Sequence, residues 1–141
     1  MSFRGGLLER LAVRKRILVV EDDLDLVELL KFNLSNAGFA VAVATDGAEA
    51  LKKARSQHPD LVLLDLMLPE LDGFAVCEIL RRDASTTTIP IIILTAMSGQ
   101  LARVAGMGAG ANDYLTKPFS PKQLLGRIEN QLGRMQAATG S

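Results

Sequence analysis

The sequence predicts one α/β domain built on a doubly wound parallel sheet, and three observations lead to that prediction. Short apolar runs of strand length recur five times along the chain, and a helical pattern follows each of them. No internal repeat is present, and 141 residues is the length of a single domain. Strands that alternate with helices form parallel sheets with helices on both faces, since each crossover returns the chain in the same direction.

The first strand is predicted at residues 17–20, an apolar run that suits a strand buried on both faces. Apolar residues at helical spacing then predict an amphipathic helix that ends at Gly38. Residues 39–44 predict the second strand. Asp46 and Glu49 have the spacing of a capping box, so we expect them to open the second helix.

The second half of the chain continues the alternation. Its three strands are predicted from apolar runs at residues 61–64, 91–94 and 113–115. A turn at residues 69–73 leads into the third helix, and a glycine-rich, weakly amphipathic helix is expected at residues 101–107. The last helix opens with a capping residue, a first-turn proline and a third-position partner, which are Ser120, Pro121 and Gln123.

Residues 16–135 are expected to form the domain. Residues 1–15 read as an N-terminal extension that is poorly ordered or a short helix, and residues 136–141 as a C-terminal tail. The 16 basic and 16 acidic side chains balance, so no overall positive field favours nucleic acid. No apolar run approaches the roughly 20 residues of a membrane span, and the single cysteine excludes an intrachain disulfide. We therefore expect a cytoplasmic protein with no nucleic-acid or membrane partner.

Polar side chains follow the strands at the place where such sheets bind ligands, beyond their carboxyl ends. Along the chain these are Glu21-Asp22-Asp23 after strand one, Asp65 after strand three, Thr95 at the end of strand four, where Ala96 follows it, and Lys117 after strand five. If strands one and three are neighbours, Glu21, Asp22 and Asp65 crowd together. Two carboxylates 4 Å apart repel by about 4 kcal/mol at an effective dielectric constant near 20. The cluster must therefore take up protons or bind a cation.

The residue types at these strand ends favour one chemistry. An all-oxygen cluster with room for water suits Mg²⁺, and the Thr95 hydroxyl and Lys117 ammonium add donors for an anion. Together they describe a site for phosphoryl transfer to a carboxylate. Each residue alone has an ordinary explanation as a cap, a strand-end hydroxyl or a surface lysine. The prediction rests on their joint order at the ends of one sheet.

These stretches resemble the receiver domains of response regulators in two-component signalling systems. The resemblance covers residues 16–132, and its motifs are residues 17–23, 60–69, 72–73, 92–96 and 110–119. It implies a flavodoxin-like receiver fold with the strand order 2-1-3-4-5. It also implies that a sensor histidine kinase or a phosphotransfer protein donates a phosphoryl group to the chain. The domain would then be a phosphorylation-dependent switch that assists its own phosphorylation and dephosphorylation, and not a turnover enzyme.

The resemblance assigns the acceptor and the metal ligands. Asp65 is the implied phosphoacceptor. Asp22, Asp65 and the backbone carbonyl of Met67 are the implied ligands of Mg²⁺, and Glu21 would reach the ion through water.

The resemblance also assigns a phosphoryl-binding set and a switch. Thr95, Ala96 and Lys117 would hold the phosphoryl oxygens, and the Lys117–Pro118 peptide would be cis. Thr95 and Tyr114 would form the switch, with Tyr114 swinging inward as Thr95 is drawn to the phosphate. This movement would change the surface of helix 4, strand 5 and helix 5, and thereby control a partner or an output domain.

The chain partly resembles the winged-helix transcription-factor branch of the family, in which phosphorylation drives dimers through this surface. Arg103, Asp113 and Arg127 stand at its basic, acidic and basic positions, whereas three other positions depart from it, namely Gly108, Gln123 and Glu129. A homodimer formed on phosphorylation and the docking of a different protein therefore both stay open. A non-phosphorylated pseudo-receiver that serves only for docking or dimerisation is the alternative function, although such domains usually lose an acceptor, an acid or the lysine.

Overall fold

The computed structural model describes residues 14–140, which form a five-stranded parallel sheet with helices on both faces. The strands are β1 (Arg16–Val20), β2 (Ala40–Ala44), β3 (Leu61–Leu64), β4 (Ile91–Thr95) and β5 (Asp113–Thr116). The helices are α1 (Leu24–Asn36), α2 (Gly47–Gln57), α3 (Gly73–Arg82), α4 (Gln100–Gly108) and α5 (Pro121–Gly140). The predicted alternation of strands and helices is confirmed.

The strand order β2-β1-β3-β4-β5 is also confirmed, and it decides which strand ends meet. Val20 of β1 pairs with Leu64 of β3, and the Asp65 amide donates to the Val20 carbonyl at 3.1 Å. The residues that follow β1 and β3 are therefore neighbours. On the other side, Thr95 of β4 pairs with Thr116 of β5, which brings the residues after those strands to the same edge.

Two apolar layers hold the helices on the sheet. Alternate residues of β1 face opposite layers, with Leu18 and Val20 in the layer shared with α2 and α3, and Ile17 and Val19 in the layer shared with α1 and α5. All four residues of β3 are buried, because it is a central strand covered on both faces. The backbone at the edge beyond these strands is consequently held in place on both sides.

The helix starts place backbone amides beside that edge. Asp23 caps α1 and accepts from the Asp25 and Leu26 amides at 3.1 and 3.3 Å. Asp72 caps α3 and accepts from the Ala75 amide at 2.9 Å. Side-chain caps of this kind satisfy donors that a helix start would otherwise leave unpaired.

The predicted ends of the domain fall partly outside the described residues. The extension predicted at residues 1–15 does so except for Arg14 and Lys15, and the Arg14 guanidinium donates to the Phe39 carbonyl at 2.8 Å. The backbone of α5 continues through most of the segment predicted as a tail, residues 136–141. Between residues 14 and 140, no helix combines the length and apolar character needed to cross a bilayer.

Candidate functional site

Three carboxylates meet where β1 and β3 end. One oxygen from each of Glu21, Asp22 and Asp65 lies within 4.8 Å of the other two. Glu21 and Asp65 are 3% and 5% exposed, whereas Asp22 is open to solvent. A hard divalent cation that keeps some of its water suits this all-oxygen set, because two buried carboxylates orient it and the exposed side leaves room for solvent. The donor set therefore fits Mg²⁺.

Lys117 is the cation that contacts this cluster in the described structure. Its Nζ lies 2.7 Å from Glu21 Oε1 and 3.0 Å from Asp65 Oδ2. Burial lowers the pKa of Lys117, but the hydrogen bonds to the two carboxylates outweigh burial and raise it. Lys117 is thus held as an ammonium with its charge aimed at the site. The Lys117–Pro118 peptide is cis, in agreement with the resemblance.

The surroundings of Glu21 disfavour its negative charge. Burial raises its pKa, and the charge of Asp65 adds to that effect, while hydrogen bonds from Lys117 and from the Asp23 amide oppose it. The net direction is upward. One lysine therefore leaves the carboxylate cluster short of positive charge, as expected from the sequence.

The β3–α3 connection brings further backbone against the acceptor candidate. The Met67 amide donates to Asp65 Oδ1 at 3.1 Å, while the Met67 side chain is 58% exposed. The Gly73 amide donates to the Leu66 carbonyl at 3.0 Å. A Cβ at Gly73 would overlap the Asp65 carbonyl oxygen and lie 2.6 Å from Leu66 Cα. Gly73 is required because two backbone segments touch there, so α3 can begin directly beside Asp65.

The hydroxyl side of the site is built on β4 and β5. Thr95 is fully buried, Ala96 follows it at the surface, and the Met97 amide donates to Thr95 Oγ1 at 3.3 Å. Tyr114 is 2% exposed, and its hydroxyl donates to the Met97 carbonyl at 2.7 Å. A single loop residue, Met97, therefore contacts both members of the predicted switch.

The three residues of the predicted dimer face also lie close together. Arg127 Nη1 pairs with Asp113 Oδ1 at 2.7 Å, within one chain. Arg103 Nη1 donates to the Tyr114 carbonyl at 3.4 Å. The outer side of α4 next to them exposes Leu101, Val104 and Met107. This surface, made by α4, β5 and α5, is called the α4–β5–α5 face below.

The structure brings together the residues predicted from the strand ends, and it adds contacts that the sequence pattern did not indicate. Those additions are the direct ion pair between Lys117 and Glu21, the Met97 carbonyl as partner of Tyr114, and the close approach at Gly73. The Asp72-Gly73 motif was the only sequence signal for any of them. The other two contacts join residues that are 96 and 17 positions apart in the chain.

A family model for the response regulator receiver domain matches residues 17–129. The chain belongs to this family. Receiver domains act in two-component signalling, and they bind Mg²⁺ in an acidic cleft of the kind seen here. The recognition made from the sequence motifs is thereby confirmed.

Curated relatives agree with this membership. The chain is 46% identical over 129 residues to the alkaline phosphatase synthesis transcriptional regulatory protein PhoP of Bacillus subtilis, covering 92% of this chain and 53% of that protein. It is 48% identical over 122 residues to the DNA-binding response regulator MtrA of Mycobacterium tuberculosis, covering 86% and 52%. This receiver domain thus spans about half the length of the curated relatives it matches.

Solved structures support the fold, and one of them contains magnesium. A CheY-like response regulator receiver domain protein from Methanospirillum hungatei superposes with a TM-score of 0.84 at 29% identity, covering 89% of this chain and 98% of that one. The receiver domain of the sensor histidine kinase PA1611 from Pseudomonas aeruginosa superposes with a TM-score of 0.80 at 34% identity, covering 86% and 99%. That structure has a magnesium ion coordinated in its active site cleft.

Proposed function

We propose that this receiver domain takes a phosphoryl group on Asp65 from a sensor histidine kinase or a phosphotransfer protein. The observation that carries the proposal is the position of Asp65. Its carboxylate is buried beside Glu21 and Asp22, and it contacts Lys117 and the Met67 amide. Asp22 is exposed. Glu21 shares the burial and the Lys117 contact but follows β1, whereas Asp65 follows β3, the middle strand of the five, at the acceptor position of the receiver-domain motif.

Each side chain has a stated role in this proposal. An oxygen of Asp65 attacks the phosphorus, the bond from phosphorus to the donor breaks, and the donor leaves with that electron pair. Asp22, Asp65 and the Met67 carbonyl would hold Mg²⁺, with Glu21 acting through water, and the bound ion would supply positive charge for the phosphoryl oxygens. Lys117, the Thr95 hydroxyl and the Ala96 amide donate hydrogen bonds to those oxygens. These bonds are strong because the phosphoryl oxygens carry negative charge.

Mass spectrometry tests the acceptor. Incubation with acetyl phosphate and Mg²⁺ should add one phosphoryl group to the intact protein, and Asp65→Asn should add none. Glu78→Gln is the matched control, because Glu78 is an exposed carboxylate on α3, and it should label fully. Lys117→Ala should label or signal more weakly. A phosphoryl group gained by Asp65→Asn would show that another residue is the acceptor.

The convergence of the acceptor, the acids and the lysine gives the pseudo-receiver alternative no support. We also propose that the domain assists its own phosphorylation and dephosphorylation without turning over a separate substrate.

The relatives are named as transcriptional and DNA-binding regulators, but the chain matches only about half of each. Its balanced charge leads us to propose that the receiver domain itself does not contact nucleic acid. A mobility-shift titration of this chain with duplex DNA would test that statement.

We propose that the α4–β5–α5 face is the output surface, with Arg103, Asp113 and Arg127 as its charged members and Thr95 and Tyr114 as its switch. The exposed apolar side of α4 adjoins these charges and offers area for a contact. In a symmetric dimer, Asp113 and Arg127 of one chain would exchange their intrachain pair for pairs across the interface. Exposed ion pairs contribute only about 0–1 kcal/mol each, so the balance between dimer and monomer is sensitive to each of them.

Sedimentation with and without beryllofluoride, an aspartyl-phosphate mimic, tests the output surface. A dimer that forms with beryllofluoride and is abolished by Arg127→Glu supports dimerisation through this face. A protein that stays monomeric at high concentration in both states would rule out dimerisation through this face. A dimer that survives Arg127→Glu shows that dimerisation uses a different surface.

A further inference from the structure

The side chain of Tyr114 is seated against a glycine of α4. Gly106 is the buried residue of that helix. A Cβ built on Gly106 would lie 3.0 and 3.1 Å from Cδ2 and Cε2 of the Tyr114 ring, and 2.7 Å from Cδ1 of Ile93 on β4. A side chain at this position would therefore press against the edge of the Tyr114 ring and the end of the Ile93 side chain.

Helix geometry does not call for glycine at this position. Gly106 lies in the interior of α4 and has no positive φ, and glycine there disfavours the helix relative to alanine. α4 has little support elsewhere, because Gly99 at its start offers no side-chain cap and Gly108 adds a second glycine. What Gly106 contributes is room for the ring.

The ring is also tied at its far end. The Tyr114 hydroxyl donates to the Met97 carbonyl at 2.7 Å, and the Met97 amide donates to Thr95 Oγ1 at 3.3 Å. The seat at one end of Tyr114 and the hydrogen bond at the other connect α4 through the β4–α4 loop to Thr95. A shift of α4 toward the sheet is blocked by the ring, and a rotation of the ring is limited by α4.

We propose that Gly106 is the positioning residue of the switch. Its missing side chain forms the seat that keeps Tyr114 buried and bonded to the Met97 carbonyl, so that the ring and α4 move as one unit. The link to signalling rests on the proposed function, in which Thr95 binds the phosphoryl group. The seat itself does not depend on Asp65 chemistry, and the two can be tested apart.

The chain offers a direct probe, because Tyr114 is its single tyrosine and it has no tryptophan. Fluorotyrosine incorporated at this position gives one ¹⁹F NMR signal, and iodide quenching of tyrosine fluorescence reports the exposure of the same ring. Gly106→Ala is the test variant. Gly108→Ala is the matched control on the same helix, because a Cβ at Gly108 meets nothing within 4 Å.

Gly108→Ala should raise the melting temperature and leave the fluorine signal and the quenching constant unchanged. Gly106→Ala should shift the signal toward the solvent-exposed position and raise the ratio of exposed to buried ring by about fivefold or more, since overpacking a buried contact displaces one side. Ile93→Val removes the Cδ1 atom that the new methyl meets first. The double variant Gly106→Ala/Ile93→Val therefore isolates the contact with the ring. It replaces the single variant as the test if Gly106→Ala lacks a native circular dichroism spectrum.

A natively folded Gly106→Ala or double variant with the wild-type fluorine signal and quenching constant would overturn the proposal, because the ring would then be seated without the glycine. Beryllofluoride provides the second arm. A wild-type signal that ignores beryllofluoride, together with a displaced signal in Gly106→Ala, would support the seat and count against the proposed phosphoryl site. A response to beryllofluoride that is identical in wild type and Gly106→Ala would show that the glycine does not position the switch.

Discussion

Asp65→Asn should increase the stability of the protein in the absence of divalent cations and remove most of its stabilisation by Mg²⁺. The substitution keeps the shape of the side chain and removes one of the three clustered negative charges. In the native protein that charge is 95% buried, since Asp65 is 5% exposed. It is also repelled by two carboxylates and attracted by Lys117.

The distances in the structure set the size of the repulsion and of the attraction. The oxygens of Asp65 and Glu21, within 4.8 Å of each other, repel by at least about 3.5 kcal/mol at an effective dielectric constant near 20. The repulsion between Asp65 and Asp22 is smaller, because Asp22 is exposed to solvent. The Lys117 contact at 3.0 Å attracts by about 5.5 kcal/mol on the same scale. The two effects nearly cancel. What remains is the cost of dehydrating the Asp65 carboxylate, several kcal/mol per ion, partly offset by weaker hydrogen bonds to asparagine. We expect a net gain of about 1–2 kcal/mol for Asp65→Asn.

Urea unfolding followed by circular dichroism measures this gain. With a chelator present, Asp65→Asn should unfold at higher urea than wild type with the same dependence on urea concentration. Addition of Mg²⁺ at ten times its dissociation constant should stabilise wild type by about 1.4 kcal/mol and the variant by much less. Glu78→Gln, the exposed control on α3, should match wild type in both conditions. The reasoning is refuted if Asp65→Asn is less stable than wild type in chelator, or if it keeps the full Mg²⁺ effect.

Three further predictions concern lifetime, strain and packing. The phosphorylated protein should lose its phosphoryl group slowly, over many minutes or longer. Met67 and Met97 stand two residues after Asp65 and Thr95, and neither methionine side chain can orient an attacking water. Decay within seconds, or an unchanged decay rate after polar replacement of both methionines, would contradict this prediction. His58→Gly should stabilise the protein by about 0.5–1 kcal/mol, and His58→Ala should not. His58 caps the end of α2 with a φ of 48°, which glycine adopts without strain. Equal melting temperatures for the two variants would contradict this prediction. Gly73→Ala should lower the free energy of unfolding by about 3 kcal/mol or more and weaken labelling by acetyl phosphate. The new methyl group meets backbone atoms that cannot move aside. A variant with native stability would show that the β3–α3 connection can shift.

Local patterns predicted most of the fold. The apolar run of β1 is buried on both faces as expected, and the apolar runs predicted as strands β3 and β4 are also buried. The capping pattern at Asp46 and Glu49 is seen as a 2.8 Å hydrogen bond from the Glu49 amide to the Asp46 carboxylate. These features depend on residues that are near in sequence, so their periodicity and spacing are visible in the chain itself. The strand order came from the family resemblance, because the apolar strands are too alike for their composition to rank them.

The content of the site was predicted from the sequence, since the residues after each strand of a parallel sheet must share one edge. Its pairings were decided by the tertiary structure. Lys117 could have contacted either carboxylate, and it contacts both Glu21 and Asp65, which lie 96 and 52 positions away in the chain. The Arg127 pair with Asp113 within one chain is a second example. Charges of opposite sign attract whatever their order in the sequence, and only the packed backbone selects which of them meet.

The glycines also divide into those that the sequence predicts and those that only the tertiary structure explains. Gly38 at the end of α1 was predicted from the sequence, because it is a local stop signal, and it has a φ of +96°. Gly73 and Gly106 are not required by their own backbone angles. They are required by what lies against them, the Asp65 and Leu66 backbone in one case and the Tyr114 ring in the other. Such close approaches are properties of two surfaces that the fold brings together, so they become visible only when both are in place.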